Sequence, residues 1–534
     1  MRNVLALIVA GILLGAFTLV PHEVKAEGGS YWAKTYGGNG ESVLNDVTVM
    51  PDGSIIAVGW TNSTGAGGED ALVMKLSPDG GVIWAKTYGG AQDDEAWAVA
   101  VAPNGDIIVA GYTSSFGAGS SDIWVLRLDE NGNVKWQKTY GGNNWDVAIA
   151  MAVAPNGDIL VAGDTGSFGV DFTDFWVLRL DGNGNVKWQK IFGKGNARAI
   201  IVAPDGDIVV AGDTDIFGAG SADIWVLRLD ADGNVKWQKT YGGKNNEWPT
   251  SLALAPNGDI VVVGSTLSFG AGWYDAWILR LDQNGNVMWQ KRYGGEYNDE
   301  TWGVAVAQNG DLIVAGYTSS FGAGGYDAWV LRLDGDGNVK WQKTYGGKLG
   351  DKIYALDLTP KGDIVLAGST LSFGTGWYDA WILRLPSDGN LPGCVFCQDS
   401  NAEVVDTNAK TVDSNAVAKE SKAVVRESMA HPHLWTPNVK TQYPQSPTAS
   451  STTSTAPSTS STASSTSPRI ASTTSSTPST TSSPSQVISS APSPTPLHSP
   501  TTPSTSRTHS KGSICGPAAL LGLALLPLLI RKRR

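Results

Sequence analysis

Between residues 31 and 386 the chain alternates short apolar runs with short polar, glycine-rich breaks, and the alternation recurs. The unit that begins at Glu95 carries four such runs: WAVAVA, IIVAGYT, IWVLRL and VKWQKTY. The first break is Pro103-Asn104-Gly105-Asp106 and the last is Asp129-Glu130-Asn131-Gly132-Asn133, with a Gly/Ser-rich stretch between the middle runs. Runs of this length, rich in Val, Ile, Tyr and Trp and bounded by turn residues, predict four strands, a to d. Asn and Gly tolerate positive φ, so the a–b and c–d breaks read as tight hairpin turns. The tryptophans of strand d mark the beat: Trp32, Trp84, Trp136, Trp188, Trp237, Trp289 and Trp341, 52 residues apart except for one step of 49. Four strands per unit at this period predict an all-β, seven-bladed β-propeller of four-stranded antiparallel blades over residues 27–386.

Side-chain parity supports blades over a solenoid. Strand c is apolar on both faces, with Ile123 and Val125 on one and Trp124, Leu126 and Leu128 on the other. A half-exposed strand would alternate; a strand inside stacked blades need not. Strand a is small and aliphatic, as expected of an inner strand crowded around an axis. The array starts with a lone d strand, Tyr31 to Tyr36, and ends with a lone c strand, Ala380 to Leu385. The N-terminal strand is therefore expected to complete the blade formed by residues 353–385, closing the ring and removing its open edges.

Composition changes at both ends. Residues 1–26 have Arg2, an apolar stretch from Val4 to Val20 and a Val24-Lys25-Ala26 cleavage-type site, the pattern of a secretory signal. Residues 387–440 are polar and open with Cys394-Val395-Phe396-Cys397, a spacing that outside the cell suggests a small local disulfide. The rest of that segment has no pattern that defines a fold. Residues 441–512 are nearly all Ser, Thr and Pro, which predicts a disordered or O-glycosylated stalk. In residues 513–534 an apolar run ends in Arg531-Lys532-Arg533-Arg534, the pattern of a membrane anchor with its basic end inside.

Two resemblances follow from these residues. The tail, with Cys515-Gly516-Pro517, an apolar run and a basic end, resembles the CGP-type C-terminal sorting tail of archaeal surface proteins. That resemblance implies attachment at the cell surface, with processing and lipidation at Cys515. The array resembles Trp-bearing propeller repeats of the quinoprotein-like and SBBP type. It implies the fold and leaves activity open, because propellers host unrelated functions.

The seven copies can be compared with one another. A Thr ends strand b in each (Thr61, Thr113, Thr165, Thr214, Thr266, Thr318, Thr370) and an Asp begins strand c (Asp70, Asp122, Asp174, Asp223, Asp275, Asp327, Asp379). Such a pair flanking a Gly-rich loop is expected to bond the loop backbone. The d-strand Trp is followed two positions on by Lys, read as a packed ring with a snorkelling amine. The Asp129-x-Asn131-Gly132-Asn133 turns look superficially like calcium loops but lack their spacing and bidentate Glu. Variation gathers in the d–a and b–c connections, which belong on one face. A strand a position six residues before the a–b turn is the most variable: Asn45, Trp97, Ile149, Arg198, Thr250, Trp302 and Tyr354.

Candidate chemistry follows from what varies. No His or Cys lies within residues 31–386, which excludes His triads, thiol nucleophiles and His/Cys metal sites there. The net charge of −11 argues against a nucleic-acid partner. Trp97, Arg198, Trp302 and Tyr354 with Trp248, Trp273, Tyr274, Trp377, Tyr378, Asp94 and Asp299 form the candidate ligand site, since aromatics beside carboxylates suit sugar or peptide recognition. Asp93, Asp94 and Glu95 with Asp299 and Glu300 are the acids that could supply paired carboxylates for catalysis on glycans. Asn62-Ser63-Thr64 is a candidate N-glycan site. The expectation is a monomeric, surface-anchored propeller without metal or cofactor. It would recognise an extracellular glycan or protein, or act on a glycan, or serve only as envelope structure.

Overall fold

The computed structural model describes residues 31–169, 172–270 and 272–413 and the short strands Lys419–Glu420, Val424–Glu427, His433–Leu434 and Asn438–Thr441. The chain divides into two units, 1–452 and 453–534, and all described residues belong to the first. The predicted signal segment, stalk and C-terminal tail, Cys515 included, lie outside the described residues.

Seven antiparallel sheets carry the strands in the order a-b-c-d. Residues 42–88 form blade 1, 94–141 blade 2, 146–194 blade 3, 196–242 blade 4, 247–294 blade 5 and 299–345 blade 6. Blade 7 joins Asp351–Leu358, Ile364–Thr370 and Asp379–Leu385 to the N-terminal Trp32–Gly37. Trp32 pairs with Arg384 and Tyr36 with Ala380, so the predicted closure is present. Apolar clusters sit between blades rather than within them. One unites Ile56, Val58 and Val73 of blade 1 with Val99, Val109, Trp124 and Leu126 of blade 2. Strand c is apolar on both parities because each face meets a neighbouring blade.

The repeated Trp-x-Lys-x-Tyr of strand d, with Phe192 in place of the Tyr in blade 3, ties each blade to the next. Trp84 Nε1 donates to Glu130 O at 3.1 Å, Lys86 Nζ to Asn131 O at 2.7 Å and Tyr88 OH to Gly132 O at 2.6 Å, all in the c–d turn of blade 2. Gly132 has φ +72°, and a Cβ there would lie 3.0 Å from the Trp84 ring. The lysine is thus a cap on the neighbouring turn as well as a cover for its Trp, whose ring centroid is 5.6 Å away. Across the chain's own junction the same bonds recur from Trp32, Lys34 and Tyr36 to Pro78, Asp79 and Gly80.

The segment without a predicted fold becomes a belt. After the Cys394–Cys397 disulfide, short strands add to the outer edge of every blade in turn: 6, 5, 4, 3, 2, 1 and finally 7. Each blade is therefore a four-stranded unit with a fifth, borrowed edge strand. The belt sequence explains its register. Asp399-Ser400-x-Ala402 recurs every seven residues as Asp406-Thr407-x-Ala409, Asp413-Ser414-x-Ala416, Glu420-Ser421-x-Ala423 and Glu427-Ser428-x-Ala430. Seven extended residues reach roughly 24 Å, enough to step between neighbouring outer edges. In blade 6, Trp329 Nε1 donates to Ser400 Oγ at 3.0 Å, while Gln342 Oε1 accepts from Ala402 N at 3.1 Å. In blade 5, Trp277 and Gln290 hold Thr407 and Ala409 in the same way. Blades 2 to 6 carry Gln beside the d-strand Trp (Gln137, Gln189, Gln238, Gln290, Gln342), and the acidic residue that opens each of the five motifs pairs with the outer strand of one of these blades. Blades 1 and 7 carry Ala85 and Ala33 there, and the belt lacks the motif opposite them. The belt covers the outer edges that strand d would leave open to other chains.

Candidate functional site

The face formed by the d–a and b–c connections is held by the repeated Thr and Asp. Asp122 Oδ2 accepts from Ala118 N at 2.7 Å and Gly119 N at 3.0 Å, while Thr113 Oγ1 accepts from Ser115 N at 3.1 Å and Phe116 N at 3.2 Å. These are the loop bonds predicted for the pair. The Asp129 turn closes on itself: Asp129 Oδ1 accepts from Asn131 N at 2.9 Å and Asn133 N at 2.8 Å. Among the described residues no group of three or more His, Cys, Asp or Glu is placed to hold a metal ion.

Asp94 and Asp299 require a correction. Read as loop carboxylates open to a ligand or to catalysis, both are 0 % exposed. Asp94 accepts from Thr113 Oγ1, from Ser115 Oγ at 2.7 Å and from Gly90 N at 2.7 Å. Asp299 does the same with Thr318, Ser320 and Gly295. Asp146, Glu247 and Asp351 occupy the equivalent position and accept from Gly142, Gly243 and Gly347. A tight d–a turn leaves backbone N–H groups away from water, and a buried carboxylate answers them. Desolvation raises the pKa of both Asp94 and Asp299 against these hydrogen bonds.

The variable position in strand a has a geometric cause. In every blade the a–b register slips across it: between Leu44 and Asp46, Ala96 and Ala98, Ala148 and Ala150, Ala197 and Ala199, Pro249 and Ser251, Thr301 and Gly303, Ile353 and Ala355. Asn45, Trp97, Ile149, Arg198, Thr250, Trp302 and Tyr354 are thus seven β-bulge residues, left out of the ladder. All are half-buried. Some reach the next blade: Asn45 Nδ2 donates to Ala96 O at 3.0 Å and Thr250 Oγ1 to Thr301 O at 2.7 Å. Arg198 pairs with Asp213 at 3.2 Å.

Beside each bulge an a–b pair also varies between blades. Glu95 faces Tyr112, Val147 faces Asp164, Trp248 faces Ser265, Glu300 faces Tyr317 and Lys352 faces Ser369. Aromatics concentrate in blades 5 to 7. Trp248 meets Tyr274 edge-on at 4.7 Å, Trp302 meets Tyr354 edge-on at 5.4 Å, and Tyr317 meets Tyr326 at 5.3 Å. The Lys352 ammonium lies 4.3 Å from the ring centroids of both Tyr317 and Tyr326. Burial lowers its pKa, while the Glu300 charge raises it. Glu300 is 3 % exposed, and burial pushes its carboxyl up to about 7 against the hydrogen bond from Tyr317.

Of the predicted residues, Trp248, Tyr274, Trp302 and Tyr354 gather in this arc, and Tyr378 lies close enough to raise the Tyr354 pKa further. Trp273 and Trp377 project from the b–c loops, 71 % and 57 % exposed. Trp97 and Arg198 stand in blades 2 and 4, apart from the arc's blades. Asn62 is exposed, and its Oδ1 accepts from Glu41 N at 2.7 Å. Tyr317 and Lys352 escaped the sequence reading. Their signal was available in the x of the Gly-x-Thr that ends strand b and in the residue after the buried carboxylate, both of which change from blade to blade.

Three segments, residues 51–81, 102–134 and 203–235, match the family model described as "Domain of unknown function (DUF5122) beta-propeller". Each runs from an a–b turn to a c–d turn. The chain is a seven-bladed propeller, and these three segments are what it shares with that family model. It is 28 % identical over 195 residues to the regulatory protein FlaEY of Caulobacter vibrioides, an alignment covering 30 % of this chain and 20 % of that protein. The chain thus matches about a fifth of that relative's length. Among solved structures it is similar to the Pan2 WD40 domain of Neurospora crassa, with a TM-score of 0.42 at 13 % identity, covering 66 % of this chain and 95 % of that one. It is similar also to Sqt1 from Chaetomium thermophilum, with a TM-score of 0.38 at 13 % identity, covering 62 % and 81 %. Puromycin hydrolase gives a TM-score of 0.41 at 14 % identity, covering 66 % and 55 %.

Proposed function

We propose that this propeller is a recognition module displayed at the cell surface, and that its d–a/b–c face reads an extracellular ligand. The observation that carries the reading is the ring of bulges. The strand a residue released from the ladder changes from blade to blade, as does the a–b pair beside it, and those side chains share a face with exposed loop aromatics. A rigid scaffold presenting variable groups is the usual arrangement of a binding surface. The signal segment, the Ser/Thr/Pro stalk and the CGP-type tail support display outside the cell, with Cys515 as the point of processing and attachment. The repeat pattern supports kinship with the quinoprotein-like and SBBP-type propellers.

The test is a glycan array probed with the full chain and with a Trp273→Ala/Trp377→Ala variant. The reading expects discrete glycans to be retained and the variant to lose at least part of the signal. Absence of any retained glycan, together with no saturable binding of envelope proteins, would leave a purely structural role.

A further inference from the structure

Blades 2 and 6 contain the same three side chains at the same three positions. Blade 2 has Glu95, the bulge Trp97 and Tyr112; blade 6 has Glu300, the bulge Trp302 and Tyr317. In blade 2 the set is closed. Trp97 Nε1 donates to Glu95 Oε2 at 3.0 Å and Tyr112 OH to Glu95 Oε1 at 2.6 Å. In blade 6 Tyr317 still bonds Glu300, but the bond from Trp302 to it is missing and the set is open there. Among the described residues, Glu300 Oε2 and Trp302 Nε1, both buried, make no hydrogen bond of ordinary geometry. A buried carboxyl oxygen and a buried indole N–H without partners are costly, and such a pair on the variable face calls for a partner such as a water or a ligand group.

The neighbouring blade supplies the difference. Next to blade 2 the corresponding positions are Val147 and Ile149; next to blade 6 they are Lys352 and Tyr354. Tyr354 packs against Trp302 in a T-shaped contact, their ring centroids 5.4 Å apart. Lys352 makes no ion pair within 4.0 Å and no hydrogen bond among the described residues, and rests on two tyrosine faces. Its flexible stem lets the head group swing from those faces.

We propose that the arc between blades 6 and 7 binds a pyranose ring. Its apolar face lies on the rings of Trp302 and Tyr354, and neighbouring hydroxyls are shared between Glu300 Oε2 as acceptor and the Lys352 ammonium and Trp302 Nε1 as donors. The inference rests on the recognition reading above and names its ligand class. A vicinal diol needs an acceptor and donors side by side, and the C–H face of a sugar suits an aromatic wall. An aliphatic ammonium ligand fits less well, because Lys352 already supplies a cation to the tyrosine faces.

The test titrates the full chain with methyl glucoside, galactoside, mannoside and N-acetylglucosaminide, read by saturation transfer from aromatic protons to the sugar. At least one pyranoside is expected to bind. Glu300→Gln should weaken it about tenfold or more, as loss of a hydrogen bond to a charged group does. Glu95→Gln, the same change in the closed set, should leave affinity unaltered. Melting curves of both variants separate lost binding from lost fold. Equal effects of the two substitutions, or binding of choline in place of every sugar, would overturn the inference. Array glycans still held by the full chain and by Glu300→Gln, but lost with Trp273 and Trp377, would sink this site and leave the recognition reading standing.

Discussion

Blades 2 and 6 of one molecule carry an identical Glu, Trp and Tyr, yet one set is satisfied internally and the other is not. The backbones match and the bulges fall at the same place. What differs lies in the adjoining blades. Glu69 stands beside Glu95, and burial raises the pKa of both; the Glu95 charge raises Glu69 further, while the hydrogen bond that Glu69 makes to Glu95 opposes the rise there. The residue equivalent to Glu69 next to blade 6 is Tyr274. The lesson is that a site in a propeller belongs to a seam between blades. No single repeat, read alone, distinguishes a closed triad from an open one.

The broadest way to break the comparison is to remove what both blades share. Deleting residues 27–40 takes Trp32–Gly37 from blade 7, with the fully buried Trp32 and Tyr36 and their bonds to the blade 1 turn. Losing one buried Trp commonly costs about 3–5 kcal/mol, so thermal unfolding should shift down by many degrees or aggregation should intervene. Deleting the belt, residues 397–441, should act more gently. Its first two strands, Cys397–Asp399 and Glu403–Asp406, expose most of their side chains, so the expected signs are concentration-dependent association through bare outer edges and a smaller drop in melting temperature. Light scattering beside calorimetry distinguishes the two.

Substitutions within the triads sharpen the contrast. Trp97→Phe breaks a bond made in the folded protein and should destabilise by about 1 kcal/mol in denaturant titration. Trp302→Phe removes an indole N–H that lies near Tyr317 but makes no hydrogen bond of ordinary geometry, and should cost less stability than Trp97→Phe while weakening the sugar. Equal destabilisation by both would mean that blade 6 is closed in solution.

The dependence on pH is smaller and has a definite sign. Burial lifts the carboxyls of Glu300, Asp46 and Asp164 to about 7 and Asp327 to about 6. Folded pKa values above the unfolded ones mean that the fold favours the protonated forms. This stability is present below about pH 4 and is lost as pH rises through 6 to 7. The a–b turn aspartates shift the other way: Asp106, Asp158 and Asp311 are lowered, burial opposing and the bonds from Lys and Arg prevailing. Their contribution is complete by about pH 5 and lost only in acid. Melting should therefore occur at higher temperature at pH 5.5 than at pH 8.5, and Glu300→Gln should reduce that gap slightly.

Much of this was readable in the sequence, for physical reasons that can be named. Blade number and closure follow from a 52-residue beat and from a stray strand at each end of the array. The loop bonds of Thr113 and Asp122 follow from invariance across copies. The bulge residues stood out because the ladder places no demand on them. Asp94 and Asp299 misled because a carboxylate beside a loop looks solvated, and sequence does not reveal the N–H groups that bury it. The belt stayed illegible because its seven-residue motif is polar and acquires meaning when set against Gln290 and Gln342 in remote strands. Tyr317 and Lys352 were hidden by strand parity, since either could have faced a core.

The central claim is that the adjoining blade keeps the Glu300 set open, and one double substitution tests it: Lys352→Val with Tyr354→Ile, which gives blade 7 the residues of blade 3. Indole N–H resonances of the full chain, followed during pyranoside titration, are the measurement. The Trp302 N–H is expected to move into the hydrogen-bonded range occupied by Trp97, and pyranoside binding to disappear. An unmoved Trp302 resonance with undiminished binding would contradict it.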